Sequence, residues 1–446
     1  MDLAVNVAFP WITAAFMLET QTIRWVVICY VLTYSSLLLV FGRLGDLVGH
    51  RRVFRAGLLF GVVAYTLCAL APDFDSLLAA RIVQGISTAL VLSCAPALTT
   101  MLFEESRRTW ALSTYSSLSA FASVVAPLIG GVSIAALGWS GVFWFRLPVA
   151  ALALALLPLL PNQHQSRLAQ HRSFELVGAV LVAISLALLL LSPTLMRSAD
   201  LVWYALLAAF VGMVGLGTFV CYQRNSADSL LPIAALRGPD FALTNLASVA
   251  VHFVIFAVPL LLPYYLERIC GYTPVTSGGV IALLPAGVLI GSALAASIIR
   301  RLDSRRTALL GGFVVAIGQF AITLWPTIPS PAPIVITLLL HGVGIGLFQV
   351  AYTDIVLAVL PRRNRGVAGA LTMMTRTVGV VTAATALTAV LDALERQQLA
   401  VGALPKAAFM HAFDAVFRYS ALLLATFFAV SCLRRRAWFA RRGERT

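Results

Sequence analysis

The chain is short of charge. Asp, Glu, Lys and Arg together make up 11% of its 446 residues, and hydrophobic residues make up 60%. Soluble domains carry roughly 25% charged residues. A chain this apolar would expose aggregating patches in water, so a bilayer is the solvent that its composition fits. Lysine is nearly missing: of 32 basic residues only Lys406 is a lysine, which reads as biased usage and not as chemistry. The six cysteines (Cys29, Cys68, Cys94, Cys221, Cys270 and Cys432) form no CxxC pair, and five fall in apolar runs. Neither a disulfide framework nor a zinc site is expected. A GxxxxGK[ST] pattern is absent, so direct use of ATP through a P-loop is not expected. The clustered His, Asp, Ser or metal ligands that a polytopic membrane enzyme needs are also missing. No catalytic residue, metal or cofactor is expected, and the protein reads as no enzyme.

What is present is a row of apolar runs punctuated by arginine. The net charge of +14 would suggest nucleic acid in a soluble protein. Here the charges sit in short clusters between apolar runs, the pattern of cytoplasmic loops in a membrane protein, and nucleic acid is not expected as a partner. A helix needs about 20 apolar residues to cross ~30 Å of hydrocarbon. Splitting the runs at turn signals and charge clusters predicts fourteen spans, starting near residues 2, 22, 53, 77, 109, 140, 175, 201, 241, 276, 307, 333, 367 and 412. With the N-terminus inside, the inner loops and tail hold 23 of the 32 basic residues: Arg43, Arg51, Arg52 and Arg55; Arg107 and Arg108; Arg167 and Arg172; Arg224 and Arg237; Arg300, Arg301, Arg305 and Arg306; Arg362, Arg363 and Arg365; and Arg434, Arg435, Arg436, Arg441, Arg442 and Arg445. The outer loops hold only Arg24, Arg197, Arg268, Arg396 and Lys406. A miscounted helix would swap every later loop, so this bias supports an even number of spans with both termini in the cytoplasm.

The stretch "GRLGDLVGHRR" (Gly42–Arg52) follows the second span, and "ASIIRRLDSRR" (Ala296–Arg306) follows the tenth. Both are read as inner loops ending in paired arginines. The repeat suggests six helices, two extra helices, then six more, with Asp46 opposite Arg300 and Gly42 opposite Ala296. Weak internal symmetry of this kind is typical of secondary transporters. The predicted organisation is 1–160 as an N-terminal six-helix bundle, 161–240 as two extra helices with flanking loops, 241–433 as a C-terminal six-helix bundle, and 434–446 as a basic tail.

At these motifs the chain resembles the major facilitator superfamily, and within it the fourteen-helix drug:proton antiporters of the EmrB/QacA-like group. "GRLGDLVGHRRVF" is similar to the superfamily's signature loop between helices two and three. "RIVQGIS" (Arg81–Ser87) resembles its fourth-helix motif, with Ser87 where a glycine is usual, and "APLIGGV" (Ala126–Val132) resembles the antiporter motif of helix five. "NVAFPWI", "GYTPVTSGGVIALLP" and "GVAGALTMMTRTVGV" are further matches to the fourteen-helix group. The resemblance implies an all-α integral membrane protein with the major facilitator fold, two pseudo-symmetric six-helix bundles plus two central helices.

The resemblance and the residues together nominate three groups of positions. Gly42, Gly45, Asp46, Gly49, Arg51 and Arg52 are candidates for a gating loop; glycines allow close approach or positive φ, and in the family the acid is thought to latch the inner side through charge. Pro127, Gly130 and Gly131 form the antiporter motif, expected to bend the fifth helix and bring it into close contact with a neighbour. Asp2, Arg81, Gln84, Gly85, Arg146 and Arg376 are candidates for proton coupling or for lining a cavity. Arg81 lies inside the outer end of the fourth helix, where a guanidinium facing lipid is costly; it either snorkels to the interface or acts on a nearby acid. Gln84, one turn on, shares its face. Arg146 stands where the group usually has asparagine, and either joins the substrate site or snorkels. Arg376 is expected near mid-depth of helix thirteen, in a structural or coupling role. Asp354 reads as interfacial, and Glu175 as a cap at the entry to the first extra helix. His252 and His341 can titrate near neutrality, but a lone histidine on a helix is more often a packed residue.

Sixteen uncharged residues separate Asp2 from Glu19. In the family an acid lies upstream of the "NVALP" motif, usually one residue further from it than Asp2 is from Asn6. No signal peptide precedes this run. Either the first helix is clipped at its start and Asp2 is protonatable, or the helix is complete and Asp2 lies in the headgroup layer.

The expected function is proton-coupled export of lipophilic or amphipathic small molecules by rocking of two halves, in the cytoplasmic membrane and as a monomer. The partners would be the cargo, protons and the bilayer. Export of one endogenous metabolite and uptake of a nutrient are the alternative transport readings; a transport-inactive binding protein is a remote one.

Overall fold

The computed structural model describes residues 2–101, 103, 107–159, eight positions between 181 and 192, 202–224, 238–325, 330–359, 365–434, 438 and 439. Every regular element among them is helical. In chain order the α-helices are α1 (Leu3–Val7), α2 (Phe9–Ala15), α3 (Arg24–Val48), α4 (His50–Ala69), α5 (Phe74–Met101), α6 (Arg108–Leu137), α7 (Gly141–Trp144), α8 (Arg146–Leu156), α9 (Val202–Arg224), α10 (Pro239–Ile255), α11 (Ala257–Arg268), α12 (Pro274–Ile281), α13 (Leu283–Leu302), α14 (Ser304–Ile322), α15 (Pro331–Val359), α16 (Arg365–Ala400) and α17 (Pro405–Ser431). Among the described residues ten helices are long and apolar enough to cross a membrane, and eleven if the bent pair α2–α3 is one span. The span expected near residue 175 falls largely outside the described residues, as does Glu175.

Proline sets where spans are interrupted. A proline inside a helix removes one hydrogen bond and its ring clashes with the carbonyl four residues back. For Pro148, Pro259 and Pro285 the residues four back are Trp144, Ile255 and Ile281, the last residues of α7, α10 and α12. In each case helical geometry resumes after one residue, so α7–α8, α10–α11 and α12–α13 each act as one span. Pro96 and Pro127 are carried inside uninterrupted helices.

The stretch Gly42–Arg52, expected as a loop, is almost entirely helix. Only Gly49, at φ 101°, breaks the path between α3 and α4. The matching stretch behaves alike: only Asp303, at φ 71°, separates α13 from α14. The two positions are equivalent in the sequence repeat, so the symmetry extends to a one-residue turn. Glycine meets that demand without a Cβ penalty. Asp303 meets it with strain, offset by its carboxylate, which accepts the Arg306 N–H at 3.0 Å and caps α14.

Two compact units emerge. One contains residues 23–120 and 136–229; in it α5 packs between α3 and α4, and α8 lies along α4. The other contains residues 1–22, 121–135 and 230–446; its centre is α15, packed between α13 and α14, with α16 and α17 beside α10. Large apolar side chains stand exposed along the outer faces, among them Phe121 and Val132 on α6 and Trp203, Tyr204 and Phe210 on α9. Lipid is the solvent for such surfaces. Asp73 caps α5 by accepting the Ser76 N–H at 2.8 Å, which holds its carboxyl below the usual carboxylate range.

Gly49→Ala forces a side chain into a backbone region that is nearly glycine-only, at a cost of roughly 1–3 kcal/mol. The thermal midpoint of the purified protein in detergent should fall, and an unchanged midpoint would refute the strained turn.

Candidate functional site

The unit made of residues 23–120 and 136–229 has Arg81 at its heart. Its side chain is 1% exposed, so it does not snorkel. Nε donates to the Val26 carbonyl of α3 at 3.0 Å, and a terminal nitrogen donates to Gln84 Oε1 at 2.6 Å. The guanidinium lies 4.3 Å from the centroid of the Tyr30 ring. Gln84 Oε1 also takes the Cys68 thiol from α4, at 3.7 Å. These three contacts are to a carbonyl, an amide and an aromatic face. A desolvated cation–π contact contributes about 2 kcal/mol, and hydrogen bonds to a charged group about 1.5–3 kcal/mol each. The cluster therefore ties α3, α4 and α5 together. A Cβ on Gly85 would lie 2.7 Å from the Thr33 Cβ, so glycine there permits α3 to approach. Ser87 uses its hydroxyl to donate to the Gly57 carbonyl of α4 at 2.8 Å.

Around the turn, Gly42 and Gly45 lie within α3, and Asp46 does too, though its side chain is outside the described residues. Arg51 donates to the Leu157 and Pro158 carbonyls at 3.1 and 3.4 Å, at the C-terminal end of α8. A cation at that end satisfies carbonyls that the helix leaves unpaired. Arg52 is exposed. Arg146 is half-buried among aromatic rings, 5.5 Å from Phe145, 5.7 Å from Tyr65 and 6.0 Å from Phe143.

In the other unit the antiporter motif is a packing surface. Pro127, Gly130 and Gly131 are buried, and α6 is one continuous helix through them. A Cβ on Gly131 would meet the Pro274 carbonyl oxygen at 2.4 Å, and one on Gly278 would meet that of Pro127 at 2.3 Å. This reciprocal contact presses α6 against α12 backbone to backbone. Gly130 faces Ala4 of α1, and Asp2 gives its backbone carbonyl to the Val5 and Asn6 N–H groups that start α1. The Thr13 hydroxyl meets the Tyr264 hydroxyl at 2.7 Å. Nearby, Arg396 pairs with Glu19 at 2.9 Å and Asp392 at 3.1 Å, while Arg268 binds the Thr20 hydroxyl at 2.8 Å and faces Glu395 at 3.6 Å.

The same unit holds a polar chain that sequence reasoning missed. Tyr352 on α15 donates to Asn245 Oδ1 of α10 at 2.8 Å and meets the Thr375 hydroxyl of α16 at 3.2 Å. Thr375 meets Ser248 at 2.9 Å, and Ser248 lies 3.4 Å from His252 Nδ1, which also contacts the Ser248 carbonyl at 2.8 Å. His252 is thus not a lone histidine. The spacing Asn245, Ser248, His252 is i, i+3, i+7, one face of an otherwise apolar helix, and that was the available signal. Thr375 places its neighbour Arg376 near the level of Ser248, eight residues beyond Asp240 and so about 12 Å along α10. His341 is fully buried against α14, with Nδ1 3.2 Å from the Val315 carbonyl, and fits the packed reading. Asp354 is exposed and accepts from the Ser304 hydroxyl, an interfacial position. Among the described residues no cluster of His, Cys, Asp and Glu is arranged to hold a metal.

A buried arginine, glycine-packed spans and polar chains inside apolar helices are features of a membrane-embedded helix bundle. The profile described as Major Facilitator Superfamily matches residues 1–384. The chain belongs to that superfamily. It is 29% identical over 376 residues to the uncharacterized transporter YebQ of Escherichia coli, covering 84% of this chain and 82% of that one. It is 28% identical over 384 residues to the methylenomycin A resistance protein of Streptomyces coelicolor, with 84% and 79% covered. It is 24% identical over 369 residues to the riboflavin transporter RibZ of Clostridioides difficile, with 82% and 79% covered. Among solved structures, the nucleoside transporter NupG matches with a TM-score of 0.71 at 9% identity, covering 96% of this chain and 95% of that one. An auto-inhibited peptide transporter of the POT family matches at 0.70 and 16% identity, with 100% and 96% covered. These structures share the fold. The protein is a multi-pass membrane transporter.

Arg81→Lys supplies one compact ammonium where a planar fork serves two acceptors and an aromatic face. It should lower the thermal midpoint in detergent more than Gln84→Ala does. Equal midpoints for Arg81→Lys and the parent would show that the cluster does not hold the unit together.

Proposed function

We propose that this transporter is a proton-coupled exporter of amphipathic small molecules, of the fourteen-helix drug:proton antiporter group, working as a monomer in the cytoplasmic membrane with both termini inside. The observation that carries the reading is the glycine-to-backbone seam between α6 and α12, formed by the residues that resemble the antiporter motif. Close packing there would seal the bundle against leak while cargo and proton exchange. The arginine distribution supports the orientation. Relatives named for resistance to methylenomycin A, to puromycin and to several drugs support export of toxic compounds. In this mechanism a proton from outside shifts the population between inward- and outward-open states, and its release inside resets the carrier. The likeness to a riboflavin transporter supports a second reading, transport of one metabolite.

The test is transport by the purified protein in liposomes carrying an imposed pH gradient, with cationic, neutral and anionic amphipathic compounds. At least one compound should move against its own gradient, and a protonophore should abolish that movement. Movement indifferent to the pH gradient would refute antiport. In the same assay Gly131→Leu should abolish coupled transport, because its side chain collides with the Pro274 carbonyl.

A further inference from the structure

Among the described residues Arg376 has no counter-ion. It lies within a membrane span, Leu371–Ala400, and among the described residues it has no hydrogen bond and no ion pair. An arginine inside a span normally pairs with another side chain, binds carbonyls or faces a water-filled cavity. Snorkelling along a lipid face is the ordinary alternative, and helix geometry opposes it here. Residues 376, 380, 383 and 387 share one face of α16 at i, i+4, i+7 and i+11. Val380, Ala383 and Leu387 are 2%, 0% and 5% exposed, so that face points into protein. Arg376 itself is half-exposed. The buried face of α16 therefore ends at this arginine, which is only partly covered.

Its surroundings suit recognition of a ligand's polar head. The preceding residue, Thr375, joins the chain Asn245–Tyr352–Thr375–Ser248–His252. One turn on, Gly379 is pressed against α10: a Cβ there would lie 2.7 Å from the His252 Cβ. That contact brings the imidazole within electrostatic reach of Arg376. A guanidinium is flat, carries five donors and matches the two oxygens of a carboxylate or the oxygens of a phosphate. We propose that Arg376 is the anchor for an anionic oxygen group, the carboxylate of an amphipathic cargo, with the hydroxyl chain on α10, α15 and α16 beside it. The inference rests on the export reading for its cargo and adds the cargo's charge. A phospholipid phosphate offers the same chemistry, and the test separates the two.

The experiment measures equilibrium binding to the full-length protein in nanodiscs, without any gradient. The probes are three amphipathic acids with their methyl esters, for example 2-naphthylacetic acid and methyl 2-naphthylacetate. At least one acid should bind roughly tenfold or more tightly than its ester in phosphatidylcholine discs, the size of a charge-assisted hydrogen bond. Arg376→Gln should bring the ratio close to one, and Arg376→Lys should keep part of it. No preference for any acid in the parent protein, or a preference that survives Arg376→Gln, overturns the proposal. A ratio that collapses when phosphatidylglycerol is added assigns Arg376 to lipid headgroups and also overturns it. Because binding is read without a gradient, an acid preference with no pH-driven transport would refute antiport alone. Proton-driven movement of cations or neutral compounds with no acid preference would refute this inference alone.

Discussion

Everything in this protein answers to one constraint: in hydrocarbon a polar group finds its partners within the chain or pays several kcal/mol for their lack. Arg81 is the clearest case. The Val26 carbonyl, the Gln84 amide and the face of Tyr30 converge on its buried guanidinium from two helices. The same demand shapes the backbone. Proline interrupts a span for a single residue and the helix resumes at once, because a longer irregular stretch would leave carbonyls and N–H groups bare.

Helix association follows from that constraint. Lipid removes the hydrophobic drive between helices, so close contact has to come from small residues and hydrogen bonds. Gly131 and Gly278 bring α6 and α12 together, while Thr375, Ser248 and Tyr352 link α16, α10 and α15. The ion pairs around Arg396 are a different matter. They are exposed, with Arg396 and Glu19 each 59% accessible, and such pairs contribute about 0–1 kcal/mol in water. They orient the segments around Glu19 and Glu395 more than they hold them.

Superfamily membership gives the fold and the transporter class. It does not give the cargo, because relatives at 23–29% identity carry names that range from antibiotic resistance to riboflavin transport. Two of its arginines stand out: Arg146 ringed by aromatics, and Arg376, partly buried on α16 and with no ion pair among the described residues.

Sequence by itself determined the solvent, the helical class and the repeat. Apolar runs and fenced arginines demand a bilayer whatever the tertiary arrangement, and the paired stretches around Gly49 and Asp303 show their kinship in residue order alone. The prolines at 148, 259 and 285 carry their helix breaks locally as well. Tertiary structure decided which polar residues meet. Tyr352 and Asn245 are 107 positions apart, and Ser248 and Thr375 are 127 apart, so no window of sequence brings them together. It also decided that Arg81 meets Val26, Tyr30 and Gln84 in a buried cluster, and that Pro127 leaves α6 unbroken. The physical reason is that a helix's own periodicity fixes which residues share a face, whereas the packing of neighbouring helices decides what that face meets.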